Sequence, residues 1–338
     1  MKKITSLVLI VLGAITAVKA QNIITVDNSV GSSAQFSDLQ TAISNASSGD
    51  IIQVHPSETN YGNIEVDKPL ILIGFSHNSP DKQTLITDLT LSANASNVTV
   101  TGFRVTDDFF INNGTPVTNI ILENNFFSSS MVISNGGVDN LMLRGNVINT
   151  LGNTASSGSS FTNAIITNNI FYGNLNVRLH ESVTIKNNIF LNSEVFNSRD
   201  ETGNATVQNS IFIANSAGTA DANNPGVNFE NSLIFNRSTG NANALVGTNN
   251  IVNIDPLFVE DNDNTIYEPQ IDDYHLQAGS QAINAGVNGE DLGIFDGGSF
   301  TFNNFGFTNG IPTVNIDAIS TTVAPGQNLN VIISTTNH

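Results

Sequence analysis

The residues best suited to chemistry lie between positions 178 and 221, in a chain of 338 residues of which only 12% are charged. Seven basic, imidazole or acidic side chains form this group: Arg178, His180, Glu181, Arg199, Asp200, Glu201 and Asp221. Two carboxyl groups roughly 5 to 10 Å apart can hydrolyse a glycoside, and an Arg could instead take the proton in a uronate lyase. Arg178, Asp200 and Asp221 are therefore the candidate catalytic residues, and the other four are candidate ligand-binding residues. A ladder of surface salt bridges is the alternative interpretation.

A repeated phrase determines where these side chains stand relative to one another. Each copy has an apolar residue, a polar residue, an Asn-rich pair and two apolar residues. The copies are Leu122-Glu-Asn-Asn-Phe-Phe127, Leu143-Arg-Gly-Asn-Val-Ile148, Ile166-Thr-Asn-Asn-Ile-Phe171, Ile185-Lys-Asn-Asn-Ile-Phe190, Val207-Gln-Asn-Ser-Ile-Phe212 and Phe229-Glu-Asn-Ser-Leu-Ile234. We call the third residue the anchor. Anchors stand at 74, 102, 124, 145, 168, 187, 209, 231 and 249, and the steps after 124 are 21, 23, 19, 22, 22 and 18 residues.

Alternation around each anchor indicates β-strands. Positions two and four residues before it are apolar, and the position immediately before it is mostly polar. One such strand cannot bury its apolar face alone, so a repeat near 22 residues predicts stacked coils. Helical repeats are the alternative, but Asn-Asn pairs among Ile, Val and Phe are poor helix formers. The anchor lies an even number of residues after the buried apolar positions, so its Asn side chain is predicted to point inward and to form an asparagine ladder from coil to coil.

Residues 36–46 are predicted to form a helix that caps the first coil. Apolar residues at 36, 39, 42, 43 and 46 make one helical stripe. Ser37 and Gln40 have the spacing of a capping box, and Gly49 follows the helix. An open β-helix end exposes apolar core and unpaired strand edges, so this helix is expected to cover both.

The opening of the chain resembles that of pectin methylesterases and other pectin-lyase-like right-handed parallel β-helix proteins. The motifs are Phe36-x-x-Leu-Gln-x-Ala-Ile43, Gly49-Asp-Ile-Ile52, Tyr61-x-x-Ile64 and Lys68-Pro-Leu-x-Leu-Ile-Gly74. A later segment, residues 255–295, resembles the closing segment of exported bacterial parallel β-helix repeat proteins. The resemblance implies a right-handed coil with a lidded start. It implies no activity, because the catalytic motif sets of pectin methylesterases and polygalacturonases are missing from the sequence.

Composition limits compartment and partners. Residues 1–20 have the two Lys, the apolar run and the Val18-Lys19-Ala20 end of a signal peptide, which predicts a secreted or cell-surface protein. No later segment is long and apolar enough to span a membrane. The net charge is −18, and removal of the three Lys of the signal makes it −21. Nucleic acid is therefore excluded as a partner, and a polysaccharide or cell-surface glycan is the expected one.

Further side chains have predicted roles. No cofactor is required, but Ca²⁺ could bind oxygen ligands at Asp261 and Asp263; a solvated acidic turn is the alternative, because the Gly and terminal Glu of an EF-hand loop are missing. Glu123 and Arg144 share an offset on neighbouring coils and should pair. The Phe side chains three residues after an anchor should stack inside the coil. A loop is expected to bulge outward around 77–82.

The predicted fold is all-β: a single-stranded right-handed parallel β-helix of about nine to ten coils, with an N-terminal α-helical cap and a short C-terminal β extension. The predicted units are a signal peptide at 1–20, the β-helix at 21–295 and, at 296–338, the β extension or the start of a further module. Residues 255–295 should form the last irregular coil, followed by strands at 314–319 and 329–334. The leading function is a non-catalytic glycan-binding or structural module, and the alternative is a polysaccharide lyase or glycoside hydrolase.

Overall fold

The structure is a computed structural model. It describes residues 21–80, 82–112, 116–134, 137–152, 160–192, 195–197, 205–262, 267–298, 300–308, 310, 312–320 and 322–336. The predicted signal peptide lies outside these ranges.

Parallel strands in three stacks form an all-β right-handed parallel β-helix of about eight turns. The first stack contains β1 (Ile23–Val26), β2 (Ile51–Val54), β4 (Ile71–Ile73), β7 (Val98–Thr101), β10 (Val117–Glu123), β12 (Val138–Arg144), β14 (Ser160–Thr162), β15 (Ile165–Thr167), β18 (Thr184–Lys186), β21 (Ala205–Gln208), β23 (Val227–Glu230) and β25 (Gly247–Thr248). The second contains β5 (Leu85–Ile86), β8 (Arg104–Val105), the first parts of β11 (Phe126–Ser134) and β13 (Val147–Gly152), β16 (Ile170–Phe171), β19 (Ile189–Leu191), β22 (Ile211–Ala214), β24 (Leu233–Asn236) and β26 (Ile251–Val252). The third contains β3 (Ile64–Val66), β6 (Leu89–Ser92), β9 (Phe109–Asn112), the later parts of β11 and β13, β17 (Leu175–Leu179) and β20 (Val195–Asn197).

The register confirms the period that the anchors define. The residue two before each anchor lies opposite its equivalent in the next coil, through the whole series Leu72, Val100, Leu122, Leu143, Ile166, Ile185, Val207 and Phe229. Glu123 and Arg144 face each other as predicted, with Nε 2.5 Å from Oε2. The structure has about eight turns, slightly fewer than the predicted nine to ten coils.

Helix α1 (Leu39–Asn45) lies against the first coil and is shorter than predicted. Its N-cap is Asp38, whose Oδ1 accepts the Thr41 N–H at 2.7 Å, so the predicted capping box at Ser37 and Gln40 is wrong by one residue. Apolar side chains of the helix join the interior core. At its other end the Lys68 ammonium donates to the Ile43 and Ser44 carbonyls, both at 3.3 Å, which satisfies acceptors that a helix end leaves open.

The interior of the coil holds the predicted Phe stack. Rings of Phe171 and Phe190 lie 4.9 Å apart and nearly parallel, and Phe190 and Phe212 lie 4.6 Å apart. Phe127 is inside too, but it meets Phe109 edge-on at 5.5 Å, because its neighbour one coil on is Ile148.

A buried polar column stands one residue after the anchors, and we call it the Asn/Ser column. Its members are Asn125, Asn146, Asn169, Asn188, Ser210, Ser232 and Asn250. Each accepts the backbone N–H of its predecessor, as when Asn169 Oδ1 accepts from Asn146 N–H at 3.0 Å. The column therefore satisfies polar backbone inside an apolar lumen.

The anchor side chains point outward, so their predicted inward orientation is wrong. The six Asn anchors have positive φ angles, between +48° and +56°. A left-handed residue ends the strand alternation, which turns the anchor out and the next residue in. The outward amides of Asn168, Asn187, Asn209 and Asn231 bind residues 285–296.

Residues 285–298 and 300–308, here called the strap, run back along the outside of the coils. Ala285 meets Asn231, Ile294 meets Asn168 and Thr308 meets Gly74. The predicted last irregular coil is thus wrong for this part of the chain. Described apolar side chains between Phe258 and Phe302 cover an outer apolar face of the second stack and form a second core with it. The predicted outward loop around 77–82 is also wrong, because residues 76–79 are buried.

Two antiparallel hairpins and one short helix complete the described chain. The first hairpin pairs β27 (Phe258–Glu260) with β28 (Asp273–Leu276), and a 3-10 helix spans Val287–Gly289. The second pairs β29 (Thr313–Ile319) with β30 (Val331–Thr336), close to the two predicted C-terminal strands.

Candidate functional site

The predicted catalytic group falls only partly within the described residues. Arg178 lies in β17, where its backbone is paired with Ser160. Arg199, Asp200 and Glu201 lie outside the described ranges. The sequence also predicts that Arg178 and Asp200, 22 residues apart, occupy equivalent places on neighbouring coils, whereas strands β17 and β20 pair residue 177 with residue 197. That placement stays a prediction.

His180 and Glu181 are exposed in the turn after β17. His180 Nδ1 lies 3.0 Å from Ser182 Oγ, and it accepts the Ser182 backbone N–H at 3.2 Å. The Val183 N–H closes the turn on the His180 carbonyl at 3.0 Å. His180 therefore stabilises its own turn, and the ligand-binding roles of both residues stay predictions.

Asp221 lies in the loop between β22 and β23, held by two neighbouring amides. Its Oδ1 accepts the backbone N–H of Asn223 at 3.0 Å and the side-chain amide of Asn223 at 2.8 Å. Its Oδ2 accepts the Asn243 amide, from the next coil, at 2.7 Å. These bonds, the Asn223 backbone N–H foremost, lower the pKa of Asp221. The carboxylate is ionised at neutral pH, so it accepts hydrogen bonds and is a poor general acid.

A cavity of about 330 Å³ opens beside Asp221. Its buried lining is apolar and includes Phe212 and Ile234. Its more accessible lining is polar: Asn192, Ser216, Thr219 and Asp221. Of the described residues that line this cavity, Asp221 alone is charged. The volume is at the lower end of the range for small-molecule pockets, about 300–1,000 Å³.

A second cavity, of about 290 Å³, lies between the outer coil surface and the start of β27. Arg237 and Asp261 line it and form an ion pair, with both side chains largely buried. The adjoining loop closes on Asp272, whose carboxylate accepts the Glu268 N–H at 2.7 Å and the Asn262 N–H at 3.2 Å. Burial nevertheless raises the pKa of Asp272.

The predicted calcium site adjoins this second cavity. Asp263 lies outside the described ranges, and Asp261 pairs with Arg237. Across the residues that the structure describes, no group of three or more His, Asp or Glu side chains is arranged to hold a metal ion. Calcium at Asp261 and Asp263 stays a prediction.

Sequence reasoning missed the roles of the anchors and of the Asn/Ser column. The sequence contains a signal for these roles at the fourth anchor, which is Gly145, because the residue that follows it is still Asn146. Because the anchor at position 145 has no side chain, the interior of the coil must use the side chain of the following residue, Asn146.

The fold and the Asp221 cavity define a parallel β-helix with an external strap and a small polar-rimmed pocket. This architecture is consistent with the pectin-lyase-like fold that the N-terminal motifs imply. The sequence matches no protein-family model and no curated protein. Among the described residues, no helix has the length and apolar character needed to cross a bilayer.

Proposed function

We propose that this chain is an exported, non-catalytic β-helix that binds a neutral glycan in the cavity beside Asp221, as a binding module at the cell surface. A β-helix fold is consistent with a carbohydrate-related or structural role. The proposal goes further than the fold, and it rests on the cavity lining.

The observation that carries the proposal is the two-sided lining of the cavity. Phe212 and Ile234 supply a buried apolar floor, and Asn192, Thr219 and Asp221 supply amide, hydroxyl and carboxylate groups around it. A sugar ring has apolar C–H faces and a rim of hydroxyls, so it can fill the floor and hydrogen-bond to the rim. The ionised Asp221 would accept from sugar hydroxyls, as it already accepts from two Asn side chains.

Two observations favour the binding of a neutral glycan over the cleavage of a charged one. Glycoside hydrolysis needs two carboxyl groups, and the described lining of this cavity has one. The chain has 29 acidic and 11 basic residues, so a polyanionic glycan would be repelled. The described lining therefore favours binding over hydrolysis, and the net charge favours a neutral glycan as the ligand.

Export is proposed from residues 1–20 alone. The pattern predicts cleavage before Gln21. Mass spectrometry of protein recovered outside the producing cells should show a mature chain that begins at Gln21. A chain retained inside with Met1 still present would contradict export.

Calorimetric titration with neutral oligosaccharides tests the binding site. Replacing Asp221 by Asn should weaken binding about 10-fold or more, because a hydrogen bond to a charged group is lost. Asp139→Asn is the matched control, since Asp139 is a half-buried carboxylate of the same coils that accepts from Thr162 and Asn163 at 2.6 and 2.8 Å. It should leave the affinity unchanged. Equal effects of the two substitutions would contradict the assignment.

Product analysis tests the absence of turnover. The protein is incubated with neutral and uronate-containing polysaccharides, with calcium and with a chelator, and the products are separated. No cleavage is expected. Cleavage that is abolished by Arg178→Ala or Asp200→Ala would instead establish the lyase or hydrolase alternative.

A further inference from the structure

The last part of the strap, residues 300–308, hydrogen-bonds to one short stretch of the coils and also packs on Arg144 through Phe300, whose ring centre lies 5.1 Å from the guanidinium carbon. We call this part the latch. Four backbone or hydroxyl hydrogen bonds join it to residues 74–78 of the coils. They are Thr308 Oγ1 to the Gly74 carbonyl at 2.8 Å, Thr308 N–H to the Phe75 carbonyl at 3.1 Å, Ser76 Oγ to the Phe305 carbonyl at 2.6 Å and Asn78 N–H to the Phe305 carbonyl at 3.3 Å.

His77 lies in the middle of this attachment. Its side chain is fully buried, and in the described part of the structure neither ring nitrogen has a hydrogen-bond partner. Gly306 packs directly on the ring, leaving no space even for a β-carbon at that position. The Phe126 ring meets it edge-on at 5.7 Å. The site therefore accommodates a neutral imidazole and offers nothing to a charged one.

The charges around His77 oppose its protonation. Arg104 is the charged group that acts on it from the neighbouring coil, and residues 300–308 contain no ionisable side chain. Burial and then Arg104 lower the pKa of His77 from 6.5 to about 3. A protonated His77 would be an unpaired buried cation, which is costly.

The two parts of the strap are attached differently. Under residues 285–298, the anchor amides bind strap carbonyls or the Glu290 carboxylate, as at Asn168 and Asn209. Asn124 lies between the coils that Phe300 and Thr308 contact, and both polar atoms of its buried amide lack a partner in the described structure. The Thr101 hydroxyl, next to Gly102, lacks one as well.

Gly298 stands between the well-bonded part and the latch. Its φ is +131°, and no atom lies within 4 Å of the position of an added β-carbon. Gly is the residue that most readily adopts other backbone conformations, so Gly298 is the position in this stretch best suited to act as a hinge.

We propose that the latch is an acid-released device: in acid, residues 300–308 detach from residues 74–78 by rotation at Gly298 and uncover the outer coil surface around Thr101 and Asn124. Residues 285–297 remain bound. Release removes His77 from its enclosure and exposes its ring to water. This inference does not depend on the proposed glycan site, which lies at the other end of the stack.

The expected size of the effect follows from linkage. In the open form His77 titrates with an ordinary pKa near 6.5, and in the closed form with one of about 3. Each pH unit below 6.5 therefore favours the open form about 10-fold, which gives about 100-fold at pH 4.5 relative to neutral pH.

Thiol labelling can measure the opening, because the chain contains no Cys. Thr101→Cys places a thiol beside the latch, and Thr167→Cys is its matched control. Both positions precede an anchor and are buried, but Thr167 adjoins Asn168, which binds the well-attached part. Each variant is reacted with dithiodipyridine at pH 7.5 and 4.5, and each rate is divided by that of the urea-denatured protein. The Thr101→Cys ratio should rise up to about 100-fold at pH 4.5, and the Thr167→Cys ratio should change little.

A second variant assigns the trigger. In Thr101→Cys combined with His77→Leu, labelling should become independent of pH, with circular dichroism confirming that the coils remain. If that variant does not fold, the imidazole NMR signals of unsubstituted protein serve instead, and the His77 resonance should move over the pH range in which the thiol becomes reactive. Equal acceleration at positions 101 and 167, or acceleration that persists in His77→Leu, would overturn the proposal.

Discussion

The Asn168 side-chain amide donates to the Ile294 carbonyl at 2.8 Å, across 126 positions of sequence. The same nitrogen donates to the Asp296 carbonyl at 2.7 Å. Asn168 has a φ of +55°, so one residue both turns the coil and holds the strap. Asn suits both tasks, because it tolerates left-handed backbone and has an amide that reaches neighbouring carbonyls.

Asn168→Ala should lower the free energy of unfolding by about 2–4 kcal/mol. About 1–2 kcal/mol comes from the left-handed backbone and the rest from the strap carbonyls that lose their donor. Asn168→Gly keeps the backbone freedom and should lose only the second part. Urea denaturation followed by circular dichroism measures both. Asn97→Ala is the control: Asn97 has a φ of +58°, and its exposed Oδ1 accepts the Asn119 amide at 2.8 Å, a bond that water can replace, so the variant should show mainly the backbone effect. A loss at Asn97 equal to that at Asn168 would contradict the strap contribution.

Asn169→Ala should destabilise the coil by about 3 kcal/mol. The substitution leaves the buried Asn146 N–H and Leu143 carbonyl without partners, and each such group costs about 1–3 kcal/mol. Asn169→Ser should cost less than half as much, because Ser210 and Ser232 occupy the equivalent place and accept the same backbone bond. The measurement is the urea midpoint of each variant. Equal losses for Ala and Ser would mean that side-chain volume, and not hydrogen bonding, matters at this position.

Phe190→Ala should lower the free energy of unfolding by about 3–5 kcal/mol, because it leaves a cavity between the rings of Phe171 and Phe212. Phe190→Leu refills most of that space and should cost about 1–2 kcal/mol, chiefly the lost ring stacking. Thermal unfolding ranks the two. A Leu variant as unstable as the Ala variant would show that the stacked geometry contributes far more than volume.

Stability should fall with acidification, through His77. Its folded-state pKa of about 3 lies below the unfolded value of 6.5, so below pH 6.5 the unfolded chain binds a proton that the folded chain does not. While the latch stays closed, stability is therefore unaffected above pH 6.5 and declines below it at about 1.4 kcal/mol per pH unit, and the decline levels off once the open form predominates. Urea denaturation between pH 7.5 and 4.5 measures the slope.

His77→Phe serves as the control for this slope, since it cannot take up a proton. The difference in unfolding free energy between the two proteins should change by about 3 kcal/mol between pH 6.5 and 4.5. Parallel pH profiles would show that other groups cause the acid sensitivity.

The sequence predicted the coils well because their information is local. Apolar residues two before each anchor recur at nearly the coil length, and they are the residues that stack, from Leu72 to Phe229. The orientation of the anchors was wrong because the alternation rule holds only along extended backbone. The positive φ at Asn168 and its equivalents ends the extended backbone at the anchor, so the side chain of the next residue points inward instead.

The strap could not be predicted from local pattern. Residues 285–308 have neither strand nor helix periodicity, and their partners are anchors 54 to 234 positions away. Similarly, the charged group at 178–221 suggested a site through residue type alone. The cavity beside Asp221 depends on which neighbours bury Phe212 and Ile234, and only three-dimensional packing reveals that.

The strap also alters how this protein should come apart. In a simple stack each coil touches only the next, so the ends can fray while the middle persists. Here Thr308 binds the coil of Gly74 and Ala285 binds that of Asn231, so the strap links early coils to late ones. The stack should consequently melt as a single cooperative unit. During synthesis it should reach full stability only after the strap has emerged from the ribosome.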